Sequence, residues 1–403
     1  MELFTRPNLQ GISSGTRAMA IALPTSATDG SWIDNLEELE TPAALADLDR
    51  LERNLDRMAR YAAGHGVSLR PHTKTHKSPR IGVEQLNRGA VGLTCATLLE
   101  AEVMSQVCDD LLLAYPPVGV RKLQRLMSLP ERVGITVALD SIDSAQQLAR
   151  AAEQRGRVVG VYVELDLGMH RVGLTSAEET LKLARFVAAQ PQLAYRGIAF
   201  YPGHIRIQGA LYDEQLKRLG NDLGTAIQML TSADLTPAIV SGGSTPTAWR
   251  SHMIAGLTEI RPGTYVFNDR TTVQAAVCDW DDCAMTVLAT VVSTAVTGQA
   301  IVDAGSKAIG REPPGDGEGG FGALLDRPEV TVAKLSEEHG TLDLSRTRWR
   351  PRIGDKVRLV PNHVCIAVHL HEVMYGLRGD RVETSWPVAA RGRLPLNLTT
   401  RGS

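Results

Sequence analysis

The sequence predicts an α/β protein in which a closed (β/α)8, TIM-like barrel precedes a second, all-β domain. Three observations support this prediction. Short apolar segments alternate with amphipathic helical segments about eight times between residues 36 and 280, which is typical of parallel strands covered by helices. From about residue 283 the helical pattern gives way to β-rich segments. A loop rich in glycine and proline, residues 310–320, interrupts this second part.

We therefore divide the chain into an N-terminal extension (1–35), a barrel (36–280) and a β domain (281–403). Asp49 and Glu52 are spaced as a capping box and predict the first barrel helix, whose apolar residues form one buried stripe. The segments predicted after it are strand 67–72, strand 91–95, helix 96–107, strand 111–114, helix 120–127, strand 135–139, helix 144–154, strand 158–165, helix 178–189, strand 197–200, helix 211–230 and strand 238–240.

Composition limits the classes of partner. A net charge of -2 and a pI near 6.6 provide no basic field for nucleic acid, and no apolar run approaches the length of a membrane span. The five cysteines are an odd number spread over 403 residues, which indicates reduced thiols rather than a disulfide framework. These features predict a cytoplasmic protein that acts on a small molecule, with neither nucleic acid nor a membrane as a partner.

The segment 69–78, Leu-Arg-Pro-His-Thr-Lys-Thr-His-Lys-Ser, carries an unusual pattern of cationic groups. If it is extended, its period of two puts His72, Lys74 and His76 on one face and Lys77 on the other. A lysine crowded by such groups at a strand end has its ammonium form destabilised and becomes a usable nucleophile. We interpret Lys74 as a candidate Schiff-base lysine. The alternative is a basic corner between a strand and a helix.

A later strand end carries groups suited to a phosphate. Residues 241–247, Ser-Gly-Gly-Ser-Thr-Pro-Thr, follow a predicted strand and precede a predicted helix, so their amides and hydroxyls could cradle a phosphate. The loop lacks the lysine of a P-loop, and the alternative is an ordinary turn. Tyr265, at the end of the next strand, could add a hydroxyl to the same group. The loop residues in question are Gly242, Gly243, Ser244 and Thr245.

Two further strand ends are polar. Arg171, in the segment 166–173, could hold an anionic oxygen, and Tyr201 begins a Tyr-Pro-Gly-His segment that ends at His204. Catalytic residues of barrels lie at the carboxyl ends of the strands, so polar residues at four such ends predict one site on this face. The alternative is that each segment is merely a polar loop.

Residues 361–371 alternate between apolar and other side chains, which predicts a strand of the β domain. Its apolar face would carry Val364, Ile366, Val368 and Leu370. On the opposite face, His363 and Cys365 are candidates to hold a zinc-like divalent metal, since imidazole and thiolate suit zinc. Two protein ligands would leave positions open for water and substrate, as in a catalytic site. The alternative is an ordinary half-buried strand.

Together these motifs resemble the metal-dependent branch of the fold-type III pyridoxal-phosphate enzymes. This branch has an alanine racemase-type barrel and includes D-threonine aldolases and D-serine dehydratases. The resemblance spans about residues 41–392 and is carried by the segments 70–77, 241–247 and 361–365. It implies pyridoxal 5'-phosphate on Lys74, Arg171 near the phenolic oxygen of the cofactor and Tyr201 near its pyridine nitrogen. The full set of cofactor residues that we predict is Lys74, His72, Arg171, Tyr201, Gly242, Gly243, Ser244, Thr245 and Tyr265.

The resemblance also implies that His363 and Cys365 are the metal pair, and two departures leave the reaction open. D-threonine aldolases have His-x-Asp at this site, whereas Cys365 matches the D-serine and hydroxyaspartate dehydratases. Those aldolases also have a general-base histidine six residues beyond the tyrosine, where this chain has Ile207. His204 is the only local substitute. The C-terminal segment 375–392, however, is more similar to the aldolases.

We predict a lyase that depends on pyridoxal phosphate and on zinc, manganese or magnesium. It would cleave a D-3-hydroxy amino acid to glycine and an aldehyde, with Lys74 and His204 as catalytic residues, and would form a homodimer. The alternative is a dehydratase acting on D-serine or D-3-hydroxyaspartate. An amino-acid racemase and a non-catalytic cofactor carrier are further alternatives. The second domain and its metal pair argue against the carrier, and a racemase would not need His363 and Cys365.

Overall fold

The computed structural model describes residues 35–206, 209–314 and 319–392, apart from the side chain of Ala210. Residues 1–34 of the predicted extension, and Ile207, lie outside the described residues. Within these ranges, no helix combines the length and the apolar character that crossing a bilayer requires.

Parallel strands and helices alternate through the first part of the chain. In order, the elements are β1 (Ala43–Asp47), α1 (Leu48–Gly64), β2 (Ser68–Leu69), α2 (Pro79–Asn87), β3 (Leu93–Cys95), α3 (Leu98–Met104), β4 (Asp110–Leu113), α4 (Val120–Met127), β5 (Gly134–Leu139), α5 (Ile142–Gln154), β6 (Val159–Leu165), α6 (Ala177–Ala188), β7 (Leu193–Phe200), α7 (Ala210–Thr231), β8 (Ile239–Gly242), β9 (Glu259–Ile260) and α8 (Arg270–Gln274). Short 3-10 helices cover Leu36–Glu38, Ala248–Met253, Thr264–Val266 and Trp280–Asp282.

Eight of these strands form a parallel sheet in the order β2-β9-β8-β7-β6-β5-β4-β3. Just beyond β2, His72 forms a bridge with Thr94 of β3, which joins the two ends of this order and closes the ring. All seven residues of β6 are buried, as expected of a parallel strand covered on both faces. The predicted barrel is confirmed.

The second part of the chain is a mainly antiparallel β domain, as predicted. Its elements are β10 (Met285–Ser293), β11 (Gln299–Val302), α9 (Ser306–Ile309), β12 (Gly322–Leu324), β13 (Arg327–Leu335), β14 (Gly340–Asp343), β15 (Lys356–Pro361), α10 (Val364–Leu370), β16 (Val373–Arg378) and β17 (Arg381–Pro387). The sheet order is β11-β14-β13-β12-β15-β10-β1-β16-β17, and β11 also pairs with β10, so six strands close into a barrel.

Strand β1 belongs to this second sheet, although its residues fall in the range 36–280 that the sequence assigns to the first barrel. It lies between β10, to which it runs antiparallel, and β16, to which it runs parallel. From β1 in the β domain, the chain therefore runs through the whole barrel and then returns to the β domain.

The predicted capping box of the first helix is wrong. Asp47 caps α1 instead, accepting a hydrogen bond from the Arg50 amide at 2.9 Å. Asp49 and Glu52 each contact the guanidinium of Arg378, in β16, at 2.5 Å. These two carboxylates therefore attach α1 to the β domain and do not cap its N-terminus.

The predicted strand over residues 361–371 is also wrong beyond Pro361. Strand β15 ends there, His363 becomes the N-cap of α10, and the segment from Val364 onward is helical. The burial pattern explains the error. Val364, Ala367 and Val368 are fully buried at a helical spacing, whereas Ile366 is 37% exposed. The alternation in the sequence coincides with a short helix that has one buried side.

The helical geometry of α10 predicts unequal costs for two substitutions. Val368→Ala should lower the free energy of unfolding by about 1.5–3 kcal/mol, because it leaves a cavity under a fully buried side chain. Ile366→Ala should cost under ~1 kcal/mol, because that side chain is partly exposed. Urea unfolding of both variants measures the difference. Equal costs would indicate the strand geometry, in which both side chains share a face.

Candidate active site

Lys74 lies in a tight turn at the point where the barrel closes. The turn spans Thr73 to His76, and the Lys77 amide donates to the Thr73 carbonyl at 2.8 Å. The predicted extended geometry is therefore wrong here. His72, Lys74 and His76 do not share a strand face, and His76 is buried while Lys74 is partly exposed. Burial lowers the pKa of His76 to about 3, so that imidazole is neutral.

The second lysine of the motif has a structural partner. The Lys77 ammonium lies 2.5 Å from a carboxylate oxygen of Glu100, and both groups are buried. The other carboxylate oxygen of Glu100 accepts from the Ala96 amide at 2.6 Å. This pair fixes the end of the turn. Of the two lysines, Lys74 is the one that remains available for chemistry.

Three of the predicted strand-end residues converge. The Lys74 ammonium lies 5.4 Å from the centroid of the Tyr201 ring, and the Arg171 guanidinium lies 4.9 Å from the same centroid. A Cβ on Gly203 would lie 2.2 Å from an atom of the Tyr201 ring, so the glycine makes room for it. Burial, and then the charge of Lys74, lower the pKa of His72 well below its usual value.

His204 packs against the loop that bears Arg171. A Cβ on Gly168 would lie 3.0 Å from His204 Nε2, and that loop is held by Asp166, which accepts from the Gly168 and His170 amides at 2.9 and 3.0 Å. The His204 Nδ1 atom is buried and has no hydrogen-bond partner among the residues that the structure describes. Burial lowers the pKa of His204, and the charge of Asp166 offsets only part of this effect. The imidazole is therefore neutral near pH 7, as a proton acceptor must be.

The first two residues of the glycine loop, Ser241 and Gly242, form the end of β8, and the helix after the loop is the short 3-10 helix Ala248–Met253. Gly243 has a φ of +85°, a conformation that favours glycine. The Ser244 amide donates to the Thr247 hydroxyl at 3.0 Å, and the loop is buried. The hydroxyls of Ser244 and Thr245 thus belong to a compact, polar turn at the carboxyl end of a barrel strand.

The hydroxyl of Tyr265 has a hydrogen-bond partner in α2. Its ring is buried, and the hydroxyl accepts a hydrogen bond from Gln85 in α2 at 3.0 Å. The backbone amide of Tyr265 instead donates to the Thr245 hydroxyl at 3.2 Å. In this contact the hydroxyl is an acceptor, so its proton stays available to a phosphate, while the backbone amide ties the residue to the loop.

His363 and Cys365 lie at the start of α10 and face the lysine turn. The Cys365 sulfur is 3.2 Å from the hydroxyl of Thr75, the residue after Lys74. Burial raises the pKa of the Cys365 thiol, but the charges of His363 and Lys74 outweigh this effect and lower it to about 7. The Cys365 thiolate in turn raises the pKa of His363. Among the described residues, no third His, Cys, Asp or Glu completes a metal cluster with them.

Three residues of this site were not singled out by the sequence analysis: Thr75, Glu100 and Asp269. Asp269 accepts a hydrogen bond from His363 Nδ1 at 3.0 Å and caps α8. The spacing of Asp269 and Thr272 is a capping signal that could have located α8. Nothing in the local sequence indicates the contact with His363, because 94 residues separate the two.

Comparison with known proteins agrees with this architecture. A family model described as "Alanine racemase, N-terminal domain" matches residues 46–271, and one described as "Putative serine dehydratase domain" matches residues 284–377. A 3-hydroxy-D-aspartate aldolase of Paracoccus denitrificans (strain Pd 1222) is 32% identical over 371 residues, which cover 88% of this chain and 93% of that protein.

Two solved structures are similar over nearly their whole length. The D-threonine aldolase from Filomicrobium marinum has a TM-score of 0.84 and 32% identity, covering 90% of this chain and 99% of its own. The D-threo-3-hydroxyaspartate dehydratase from Delftia sp. HT23 has a TM-score of 0.81 and 30% identity, covering 90% of this chain and 100% of its own. The chain therefore belongs to the fold-type III pyridoxal-phosphate family, in the group that contains D-threonine aldolases and D-3-hydroxyaspartate aldolases and dehydratases.

Proposed function

We propose that this protein is a pyridoxal-phosphate-dependent lyase that also uses a divalent metal and cleaves a D-3-hydroxy amino acid to glycine and an aldehyde. One observation carries the proposal. The turn bearing Lys74 contacts the His363–Cys365 pair, through the 3.2 Å approach of Thr75 to the Cys365 sulfur. A lysine that can hold the cofactor and a pair that can hold a metal thus share one site. A racemase or a cofactor carrier would not need that pair.

The residues suit the cofactor. Lys74 is the lysine of the motif that has no buried ion pair, and the glycine loop offers the buried hydroxyls of Ser244 and Thr245. The two regions lie close together. Both regions contact the segment after β9, where a Cβ on Gly263 would lie 2.9 Å from the Thr75 hydroxyl and the Tyr265 amide donates to the Thr245 hydroxyl at 3.2 Å. We assign the phosphate to this loop, with Arg171 and Tyr201 beside the ring of the cofactor.

The residues also suit a metal. An imidazole nitrogen and a thiolate sulfur are borderline-soft donors, which favours zinc over manganese or magnesium. With no third protein ligand in the described part of the chain, two or more positions remain for water and the substrate.

Pyridoxal phosphate, when bound, supplies an electron sink at Cα, and a divalent metal lowers the pKa of a hydroxyl that it touches. The chain supplies the bases. For aldol cleavage, His204 takes the proton of the substrate β-hydroxyl through a ring nitrogen, and its neutral state suits that task. Arg171 and Tyr201 limit how the substrate and the cofactor can lie.

Dehydration to a 2-oxo acid and ammonia is the second candidate. Cys365 favours it, because a cysteine at this position matches the D-serine and hydroxyaspartate dehydratases. The charge of Lys74 contributes to the lowered pKa of Cys365, so the lysine and the metal pair are electrostatically coupled. In this reaction the Lys74 amine takes the α-proton while the β-hydroxyl leaves beside the metal pair.

We also propose a cytoplasmic homodimer. All five cysteines are free, in agreement with a reducing compartment. Tyr115, Val118 and Val120 form an exposed apolar group after β4, which a second copy of the chain could cover.

The cofactor assignment predicts a visible absorbance band that borohydride abolishes, with the reduced label on Lys74 in a peptide map. Lys74→Ala should lose the band. Lys77→Met is the control, because it should keep the band but unfold more easily, by about 3–5 kcal/mol, as it leaves Glu100 buried without its cation. A label on Lys77 would contradict the assignment.

The metal assignment predicts that a chelator or Cys365→Ala lowers activity at least ~10-fold without unfolding the protein. Added zinc or manganese should restore the chelated wild type but not the variant. Cys108→Ala removes another buried thiol, in the barrel wall, and should keep the response to metal. Full activity after both treatments would show that no metal is required.

The aldol assignment predicts acetaldehyde and glycine from D-threonine. His204→Ala should lower this activity by about 10²–10⁴-fold, because it removes the base. His170→Ala, a change to an exposed histidine beside the same loop, should keep it within about threefold.

A pH profile adds a separate check on His204. The pKa of His204 is lowered, so its imidazole becomes protonated only below pH 6.5. We therefore expect the acid limb of the kcat/KM profile to have its midpoint below pH 6.5. Assays for aldehyde, 2-oxo acid and ammonia with D-threonine and D-serine decide between the reactions. Production of 2-oxo acid and ammonia without aldehyde would select the dehydratase.

A further inference from the structure

The carboxylate of Asp269 is fully buried and has four hydrogen bonds. One oxygen accepts from the Thr272 amide and hydroxyl at 2.8 and 3.0 Å. The other accepts from His363 Nδ1 at 3.0 Å and from the Val364 amide at 3.1 Å. The first oxygen thus belongs to the helix cap of α8, in the barrel half, and the second to the start of α10, in the β domain.

The second oxygen determines which nitrogen of His363 carries a proton. An ionised carboxylate only accepts hydrogen bonds, so Nδ1 must be the protonated nitrogen in this contact. With Nδ1 engaged by Asp269, Nε2 is the ring nitrogen left to bind a metal. The imidazole therefore presents Nε2, rather than Nδ1, to any ion shared with Cys365.

We propose that Asp269 is a positioning residue that holds His363 with Nδ1 protonated and Nε2 free, and so sets the affinity of the His363–Cys365 pair for a divalent metal. This inference rests on the proposed metal site. Histidine ligands commonly donate their second N–H to a carboxylate, which fixes the ring and increases the basicity of the ligating nitrogen.

The same carboxylate also fixes where the pair lies. Its bond to the Val364 amide holds the first turn of α10 against α8, and Cys365 is the next residue. Cys365 in turn contacts Thr75, beside Lys74. Asp269 thereby links the metal pair of one domain to the barrel that carries the cofactor lysine.

Asp269→Asn separates the two functions of this side chain. The amide oxygen can still cap α8 through Thr272, but the amide nitrogen then faces His363 and Val364 as a donor. The imidazole can meet that donor only with an unprotonated Nδ1, which leaves the proton on Nε2, the atom that should bind the metal. In a serine protease, the corresponding change leaves the geometry intact but produces the wrong histidine tautomer.

The test measures metal affinity directly. Metal-stripped protein loaded with pyridoxal phosphate is titrated with Co²⁺, whose bond to a thiolate produces a charge-transfer band, and with Zn²⁺ against a chromogenic chelator. We expect Asp269→Asn to weaken Kd by about 10–100-fold. Thr272→Val is the matched control. It disturbs the same cap but keeps the contact with His363, so its Kd should stay within about threefold of wild type. Cys365→Ala should abolish the charge-transfer band.

A second measurement requires no change at Asp269. In wild-type protein with ¹⁵N-labelled histidine and bound ¹¹³Cd²⁺, the His363 signals, assigned with His363→Gln, should show a proton on Nδ1 and coupling of Nε2 to the metal. A proton on Nε2 would overturn the inference. So would an equal Kd for wild type and a folded Asp269→Asn. If the wild-type protein binds neither metal, the proposed metal site is wrong and the inference fails with it. That outcome differs from an equal, measurable Kd for the wild type and Asp269→Asn, which would contradict the inference alone.

Discussion

Closure of the barrel between His72 and Thr94 determines where the chemistry can take place. Backbone hydrogen bonds cross this seam, including those from the Thr73 amide to the Thr94 carbonyl at 2.8 Å and from the Thr94 amide to the Pro71 carbonyl at 2.9 Å. The turn that bears Lys74 begins at the seam and ends at the buried pair of Lys77 and Glu100. The lysine is therefore held at the rim of the barrel between two fixed points, and in the described part of the chain the buried carboxylate of Glu100 pairs with Lys77 rather than with Lys74.

The β domain completes the site because of one short helix. Helix α10 begins directly after β15, so His363 and Cys365 lie in its first turn, beside the lysine turn. A buried carboxylate, Asp269, accepts hydrogen bonds from both sides of this junction. Burying a charge is costly unless hydrogen bonds surround it, and here four do so. The position of the metal pair relative to Lys74 thus depends on contacts between the two domains.

The two candidate reactions differ in which substrate bond breaks, not in which residues are present. In the proposed function, both reactions require a cofactor lysine and a pair of metal ligands, and His204 and Lys74 would act as bases on different protons. The choice depends on which bond at Cα stands perpendicular to the cofactor ring. In this site Arg171 and Tyr201 lie beside the cofactor lysine, so the orientation of the substrate is the property that distinguishes an aldolase from a dehydratase here.

The sequence alone determined the fold class, the order of barrel elements and the segments that meet at the site, because hydrophobic periodicity and strand-end motifs are local properties. It could not determine that β1 joins the second sheet, that residues 364–370 are helical, that the Tyr265 hydroxyl turns to Gln85, or that Asp269 supports His363. Each of these depends on contacts between residues far apart in the chain. A short apolar alternation fits a strand or a helix equally well, and only burial against the rest of the molecule decides between them.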